Sequence, residues 1–339
     1  MGGRTPRWIM MVVGTGSRGG GERIQTSASL FSYASERRLL AAEKKTRFVH
    51  YSSAEAAIKL ITNREVWMRK ARCMNDFSEI DYGMRCLRDA VRSPEGNYLR
   101  TTLDALFPSV FHEVAQAFDG WRPSILENTY LTCLSEHRPK EDVLGRLSMW
   151  RAYGGATGVA IVLSPTPFLV ESHALRAYSS PVGYFTPVEF HQKFTDVVSR
   201  IAKEQSFLQG VGRDAVRNSL FNMFLYAAAC TKHPGFEEEL EWRVTHNPNL
   251  HPSPHLTRSI ETIRGVPQPV YKIPLRNIPA AVPTERLDGI EIPQLVERVI
   301  IGPTQFPTAV CEAIVAKLEQ AGIVDAGKRV FISGIPLRQ

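Results

Sequence analysis

The side chains most able to do chemistry cluster in Phe236–Val244, which reads FEEELEWRV. As a β-strand, its period of two sends Glu237, Glu239, Glu241 and Arg243 to one face and Phe236, Glu238, Leu240, Trp242 and Val244 to the other. Same-face carboxylates about 7 Å apart repel one another, so the pattern asks for something positive opposite them. Glu239 and Glu241, same-face partners inside the strand, are the carboxylates of this row best placed for chemistry, while Glu237 lies at its entry. A solvated edge strand, whose charges discourage edge-to-edge pairing, is the competing reading.

Three other groups bear on chemistry. His50-Tyr51-Ser52 closes a short strand, and its histidine can hydrogen-bond sugar hydroxyls. Trp150, Arg151 and Tyr153 precede Gly154-Gly155 and put an aromatic and a cation beside a glycine corner able to admit a flat ligand. The same residues equally suit packing a helix onto a sheet. Asp76 and Glu79, in the loop Met74–Glu79, join Glu239 and Glu241 as an alternative set of acids for a metal-dependent nuclease. His246, His251 and His255 lie in a Pro- and Asn-rich loop that offers a metal no fixed geometry. Gly14-Thr-Gly16-Ser-Arg-Gly19 fits GxGxxG, yet no βαβ spacing follows. No metal is expected.

The elements that must position these groups can be read in order. Arg47–Tyr51 is a strand; Ser52, three residues before Glu55, opens a capped helix over Ser53–Thr62; a second strand covers Val66–Ala71. Helices fill 83–119 and 187–231, the latter broken near Gly210–Gly212. Further strands are predicted at Tyr130–Ser135, Thr157–Leu163, Arg176–Phe185, Val270–Ile273, Glu297–Ile301 and Arg329–Ser333, with an amphipathic helix at Thr308–Ala321. Phe221, Phe224 and Leu225 share a helical face and read as core. This order predicts an α+β fold, a mixed central sheet covered by helices with helical insertions at 83–119 and 187–231. Residues 1–46 read as a flexible basic arm and 47–339 as a single catalytic-type domain.

Composition sets the outer bounds. The 339-residue chain is 43% hydrophobic and 22% charged, as ordinary globular proteins are. Its net charge is +7, but the first 47 residues hold nine basic side chains against three acidic ones, so most of the excess lies there. A basic stripe for nucleic acid on the remainder is therefore not established. Five scattered cysteines without a CxxC pair argue against a disulfide framework or a thiolate zinc site, and favour a reducing cytoplasm. No apolar run reaches membrane-spanning length, so no membrane partner is expected.

VHYSSAEAAIKLITNREVWMRKARCMNDFSE, LTCLSE, LSMWRAYGGATGVAIVL, FEEELEWRV, VIIGP and SGIPLR, taken in order over 47–337, resemble the blocks of a bacterial family catalogued as domain of unknown function 2971. A more distant resemblance links the strand with His50-Tyr51-Ser52, the capped helix, the second strand and Glu239-Leu-Glu241 to ADP-ribosyltransferases. That resemblance implies an ADP-ribosyltransferase-like fold and NAD as the substrate. His50 would hold the ribose with Tyr51 and Ser52 beside it, Trp150 or Tyr153 would stack on nicotinamide, Arg151 would take the pyrophosphate, and Glu241 would be catalytic. His50 and Tyr51 are strand neighbours facing opposite ways, so both line one pocket only if the strand ends there. The resemblance further implies a toxin or phage-defence effector, with a nucleic-acid or protein acceptor and an antitoxin or immunity partner. A non-catalytic regulatory module that binds nucleotide or nucleic acid is the remaining alternative.

Overall fold

The computed structural model describes residues 32–74 and 79–336. The arm up to residue 31, with its GxGxxG, and the loop residue Asp76 lie outside them, as does the side chain of Glu79. The described chain opens with helix α1 (Ser32–Glu43), strand β1 (Arg47–Ser53), helix α2 (Ala54–Asn63) and strand β2 (Glu65–Lys70). The residue that caps α2 is Ser53, whose hydroxyl accepts the Ala56 N–H; Ser52 remains in β1. Helices α3 (Glu79–Val91), α4 (Pro94–Leu106) and α5 (Val110–Asn128) lead to β3 (Tyr130–His137) and β4 (Gly158–Leu163). Short strands β5 (Tyr178–Pro181) and β6 (Gly183–Tyr184) precede α6 (Pro187–Lys203), α7 (Gln205–Val211) and α8 (Arg213–Ala229). Strands β7 (Thr231–Lys232), β8 (Glu241–His246), β9 (Thr257–Ile263), β10 (Val266–Pro274) and β11 (Val296–Ile301) follow, then α9 (Pro307–Gln320) and β12 (Val330–Ile332).

Ten strands form one mixed α+β sheet, in the order β12-β11-β4-β1-β3-β2-β10-β9, with β8 on β3 and β5 on β8. β3 is the hub. One edge pairs with β8 from Tyr130 to Ser135, while the other pairs with β1 through Val49↔Ser135 and with β2 through Arg69↔Leu131. β1 and β2 therefore fork apart along that edge of β3.

The two faces are covered differently. Phe48, Leu134, Ile161, Trp242 and Val244 point to one side, where α2 and α9 bury them with Ala57, Ile61, Ile314 and Leu318. The opposite face carries Val49, Tyr51, Ala160 and Val162 beneath Met149 and Trp150, and further along, Leu131 beneath the helical bundle. Phe221, Phe224 and Leu225 are indeed core, and the Phe118 ring meets Phe221 and Phe224 edge-on at 6.0 and 5.6 Å. The predicted elements differ from the observed ones at Phe236–Val244; at β9, which lacks an apolar alternation; at Arg176–Phe185, which forms the two short strands β5 and β6; in the helices expected over 83–119, which run from Glu79 to Asn128; and in the arm expected over 1–46, whose residues from Ser32 to Glu43 form α1.

The expected corner at Gly154-Gly155 does not enclose a ring, since a β-carbon on Gly155 would meet nothing within 4 Å; a flat group is instead packed by other glycines, and it is the Trp150 indole. It is 1% exposed, lies edge-on to Tyr51 at 4.8 Å and donates its Nε1–H to the Leu144 carbonyl at 2.8 Å. A β-carbon built on Gly145, Gly158 or Gly302 would come within 2.6, 3.0 or 2.7 Å of its ring. Trp150 is thus a core anchor, and the expectation that it stacks on nicotinamide is corrected by its burial. Because the packed ring cannot retreat, Gly302→Ala should destabilise the protein by about 1–3 kcal/mol in urea unfolding. Gly120→Ala, in α5 with open space around it, should instead stabilise by about 0.5–1 kcal/mol. Equal midpoints for the two variants would show that Trp150 is not confined by its glycines.

Candidate functional site

The acidic stretch folds otherwise than as one strand. Pro234–Glu239 forms a 3-10 turn, Leu240 adopts a left-handed conformation at φ +46°, and β8 begins only at Glu241. Arg146 fastens this turn. Its guanidinium donates to the carbonyls of Glu136 at 2.8 Å, Glu238 at 2.7 Å and Glu239 at 3.2 Å, while the Glu141 carboxylate holds it at 3.0–3.1 Å. The expected strand from Phe236 is corrected accordingly, since a left-handed residue cannot continue a pleat. Glu237 and Glu238 stay exposed. All six residues of β8 are buried between β3 and β5, so the edge-strand reading does not hold there.

The turn nevertheless returns Glu239 to the side of Glu241, because both reach one cation. Lys232, at the end of β7, places its ammonium 2.7 Å from Glu239 Oε2 and 3.2 Å from Glu241 Oε2, and lies over the Phe236 ring at 4.6 Å. From β8, Arg243 Nε lies 2.9 Å from Glu241 Oε1, and its Nη1 donates to the Ala229 carbonyl at the end of α8 at 2.5 Å. The Tyr153 hydroxyl donates to Glu239 Oε1 at 3.1 Å, and the Tyr184 hydroxyl accepts the Glu241 N–H at 2.8 Å. Two cations and two anions thus cancel within one largely dry cluster.

Burial by itself would raise the Glu241 carboxyl, but Arg243 and Lys232 outweigh it and, with the Cys133 thiol donating to it, hold the group below the usual carboxylate range. Burial pushes the Tyr153 hydroxyl up, and the charge of Glu239 pushes it further. It is therefore a donor and not a base at neutral pH. The side chains of Lys232 and Glu241 are 3% and 4% exposed, and that of Glu239 is 17% exposed. Glu239 is the carboxylate that meets solvent.

The other predicted site residues divide by sheet face. Val49, Ser135 and Glu241 lie in one row of paired residues, so their side chains share a face. His50, next to Val49 and paired with Ile161, belongs to the opposite face, as does Ser52, paired with Val159. His50 uses Nδ1 on the Cys133 carbonyl at 3.1 Å in the fork between β1 and β2, and burial lowers its pKa. The expected convergence of His50 and Ser52 with Glu241 is therefore corrected: strand alternation puts the backbone of the sheet between them. Tyr51 shares the face of Glu241, but its ring packs on Trp150 and its hydroxyl accepts the Arg146 N–H at 2.9 Å. Tyr153 joins the cluster, and Arg151 is exposed two residues before it.

Sequence reasoning missed Lys232, Tyr184 and Cys133. The repulsion among three acids asked for a cation, but Lys232 is separated from Glu241 by a turn whose course only packing decides. The histidines form no ligand set either. His246 Nδ1 hydrogen-bonds the Arg176 carbonyl at 2.9 Å, and among the described residues no group of three or more His, Cys, Asp or Glu is placed to hold a metal ion. Burial first, then His246, Arg176 and His173, push His251 down to about 4.

Residues 149–244 match the family model described as protein of unknown function (DUF2971), under a third of the chain. That stretch contains Tyr153, Tyr184, Lys232, Glu239, Glu241 and Arg243. The comparison with curated proteins gave no match, and the comparison with solved structures gave none. No helix among the described residues is long and apolar enough to cross a membrane.

Both sets of shifted groups predict acid lability. His251 titrates lower folded than unfolded, so its contribution is complete above about pH 6.5 and is lost as pH falls towards 4. The urea midpoint should fall over that range, and should fall less in His251→Gln. Glu241 contributes above its unfolded value near 4.5 and loses that contribution at lower pH. Glu241→Gln leaves buried Arg243 without its carboxylate and Lys232 with Glu239 alone, and should cost about 3–5 kcal/mol at pH 7; a cost below about 1 kcal/mol would mean the cluster does not hold the fold.

Proposed function

We propose that this chain is an NAD-consuming, ADP-ribosyltransferase-like enzyme whose chemistry centres on Glu239. The observation that carries this reading is the placement of Glu239: a carboxylate at the solvent edge of a charge-balanced cluster, fixed by Lys232 at 2.7 Å and Tyr153 at 3.1 Å. A preoriented carboxylate needs little reorganisation when positive charge develops beside it. In the proposed reaction the ribose–nicotinamide bond breaks and its electron pair leaves with neutral nicotinamide. Glu239 stabilises the resulting oxocarbenium-like ribose and takes the proton of the attacking nucleophile, whose lone pair forms the new bond to the same carbon. Exposed Arg151 supplies a guanidinium for the pyrophosphate. His50, Ser52 and Trp150 have no part in it. Glu241, within the cluster, positions Lys232 and through it Glu239.

The acceptor under this reading is a nucleic acid, a protein or water, and an effector of this kind would be paired with an antitoxin or immunity protein. A second reading, a non-catalytic module, is favoured by the depth of the cluster. Lys232, Glu241 and Arg243 are more than nine-tenths buried and neutralise one another, as ion pairs that only join elements do.

Incubation with NAD labelled in the nicotinamide ring separates the two readings. Wild-type protein should release nicotinamide, and Glu239→Gln, assayed below its own melting temperature so that it is folded, should release it about 10²–10³-fold more slowly. Lack of release by the wild type, with cell extract supplying acceptors, would overturn the first reading.

A further inference from the structure

A cavity of about 130 Å³ lies between α1, α6 and α8, above β5–β7. Its walls are largely apolar, with Tyr33 from α1, Phe190, Phe194 and Val197 from α6, and Met223 and Tyr226 from α8. Lys193 is exposed at the rim and is the one charged residue among the described residues lining the space. Gly183 and Thr231 of the parallel pair β6–β7 form part of its floor, while Tyr184 and Lys232, the next residues on each strand, hold Glu241 and Glu239. One two-residue-wide wall therefore separates the cavity from the charge cluster.

An apolar space of about this size accommodates a benzene-sized molecule. Filling it removes apolar surface of both partners from water, and the Lys193 ammonium at its mouth adds a preference for an anionic end. We propose that the cavity is a binding site for a small amphipathic carboxylate, a free straight-chain fatty acid of about six to eight carbons. Its tail lies among Phe190, Phe194, Met223 and Tyr33, and its carboxylate meets Lys193. No acid is among the described lining residues, and the ligand's single charge need not leave water completely. This inference does not depend on which reaction, if any, Glu239 performs.

Isothermal titration of the full chain with octanoate and with 1-octanol tests it. Octanoate should bind saturably at one site. Lys193→Glu, a change at an exposed position, should weaken octanoate about fivefold or more and leave 1-octanol unchanged. Ala227→Phe, which places a ring in the cavity, should remove both while a cooperative thermal transition persists. No saturable binding of octanoate to the wild type would overturn the proposal, as would octanoate binding that Lys193→Glu leaves unchanged. If Ala227→Phe retains the wild-type affinity, the ligand lies elsewhere and the proposal also fails.

Discussion

Arg243 has no exposed side-chain surface, and a buried guanidinium is tolerable only where opposite charge and acceptors are fixed around it. Its Nε faces Glu241 and its Nη1 takes a carbonyl at the last residue of α8, where the helix dipole is negative. One side chain thus joins the central sheet to the bundle above it. Glu241 then needs more than Arg243, since it also faces Glu239, and Lys232 supplies the second cation. The short pair β6–β7 exists in the right place to deliver it, with Tyr184 arriving on the neighbouring strand to accept the Glu241 N–H.

The same arrangement explains why the two glutamates differ. Glu241 is surrounded by two cations, a thiol and two tyrosines, so its charge is committed to the interior. Glu239 sits one left-handed residue away, on a turn gripped by Arg146, and keeps an edge towards solvent. Spacing two apart in a strand would have made them equivalent. The break at Leu240 makes one a buried ion and leaves the other at the solvent edge.

The corrections share a cause. His50, Tyr51 and Ser52 were adjacent in sequence, but alternation sends His50 and Ser52 to the face covered by α2 and α9, away from Glu241. Gly154-Gly155 encloses no ring, whereas Gly145, Gly158 and Gly302, scattered in sequence, leave room for an aromatic that belongs to the chain itself. Local pattern shows that an aromatic and several glycines need each other's shape. It cannot show whether the ring comes from inside or outside.

The sequence by itself determined the class of fold, most strands and helices, the apolar face of α8 and the need for a cation near the acidic stretch. These follow from periodicity, capping and the repulsion of like charges, all of which act over a few residues. Only the tertiary structure decided that the cation is Lys232 as well as Arg243, that Leu240 breaks the strand, and that His50 lies across the sheet from Glu241. Those outcomes depend on which strand pairs with which and on contacts such as Arg146 with Glu239, nearly a hundred residues apart in sequence. Long-range pairing is the information that a local reading of residue types does not contain.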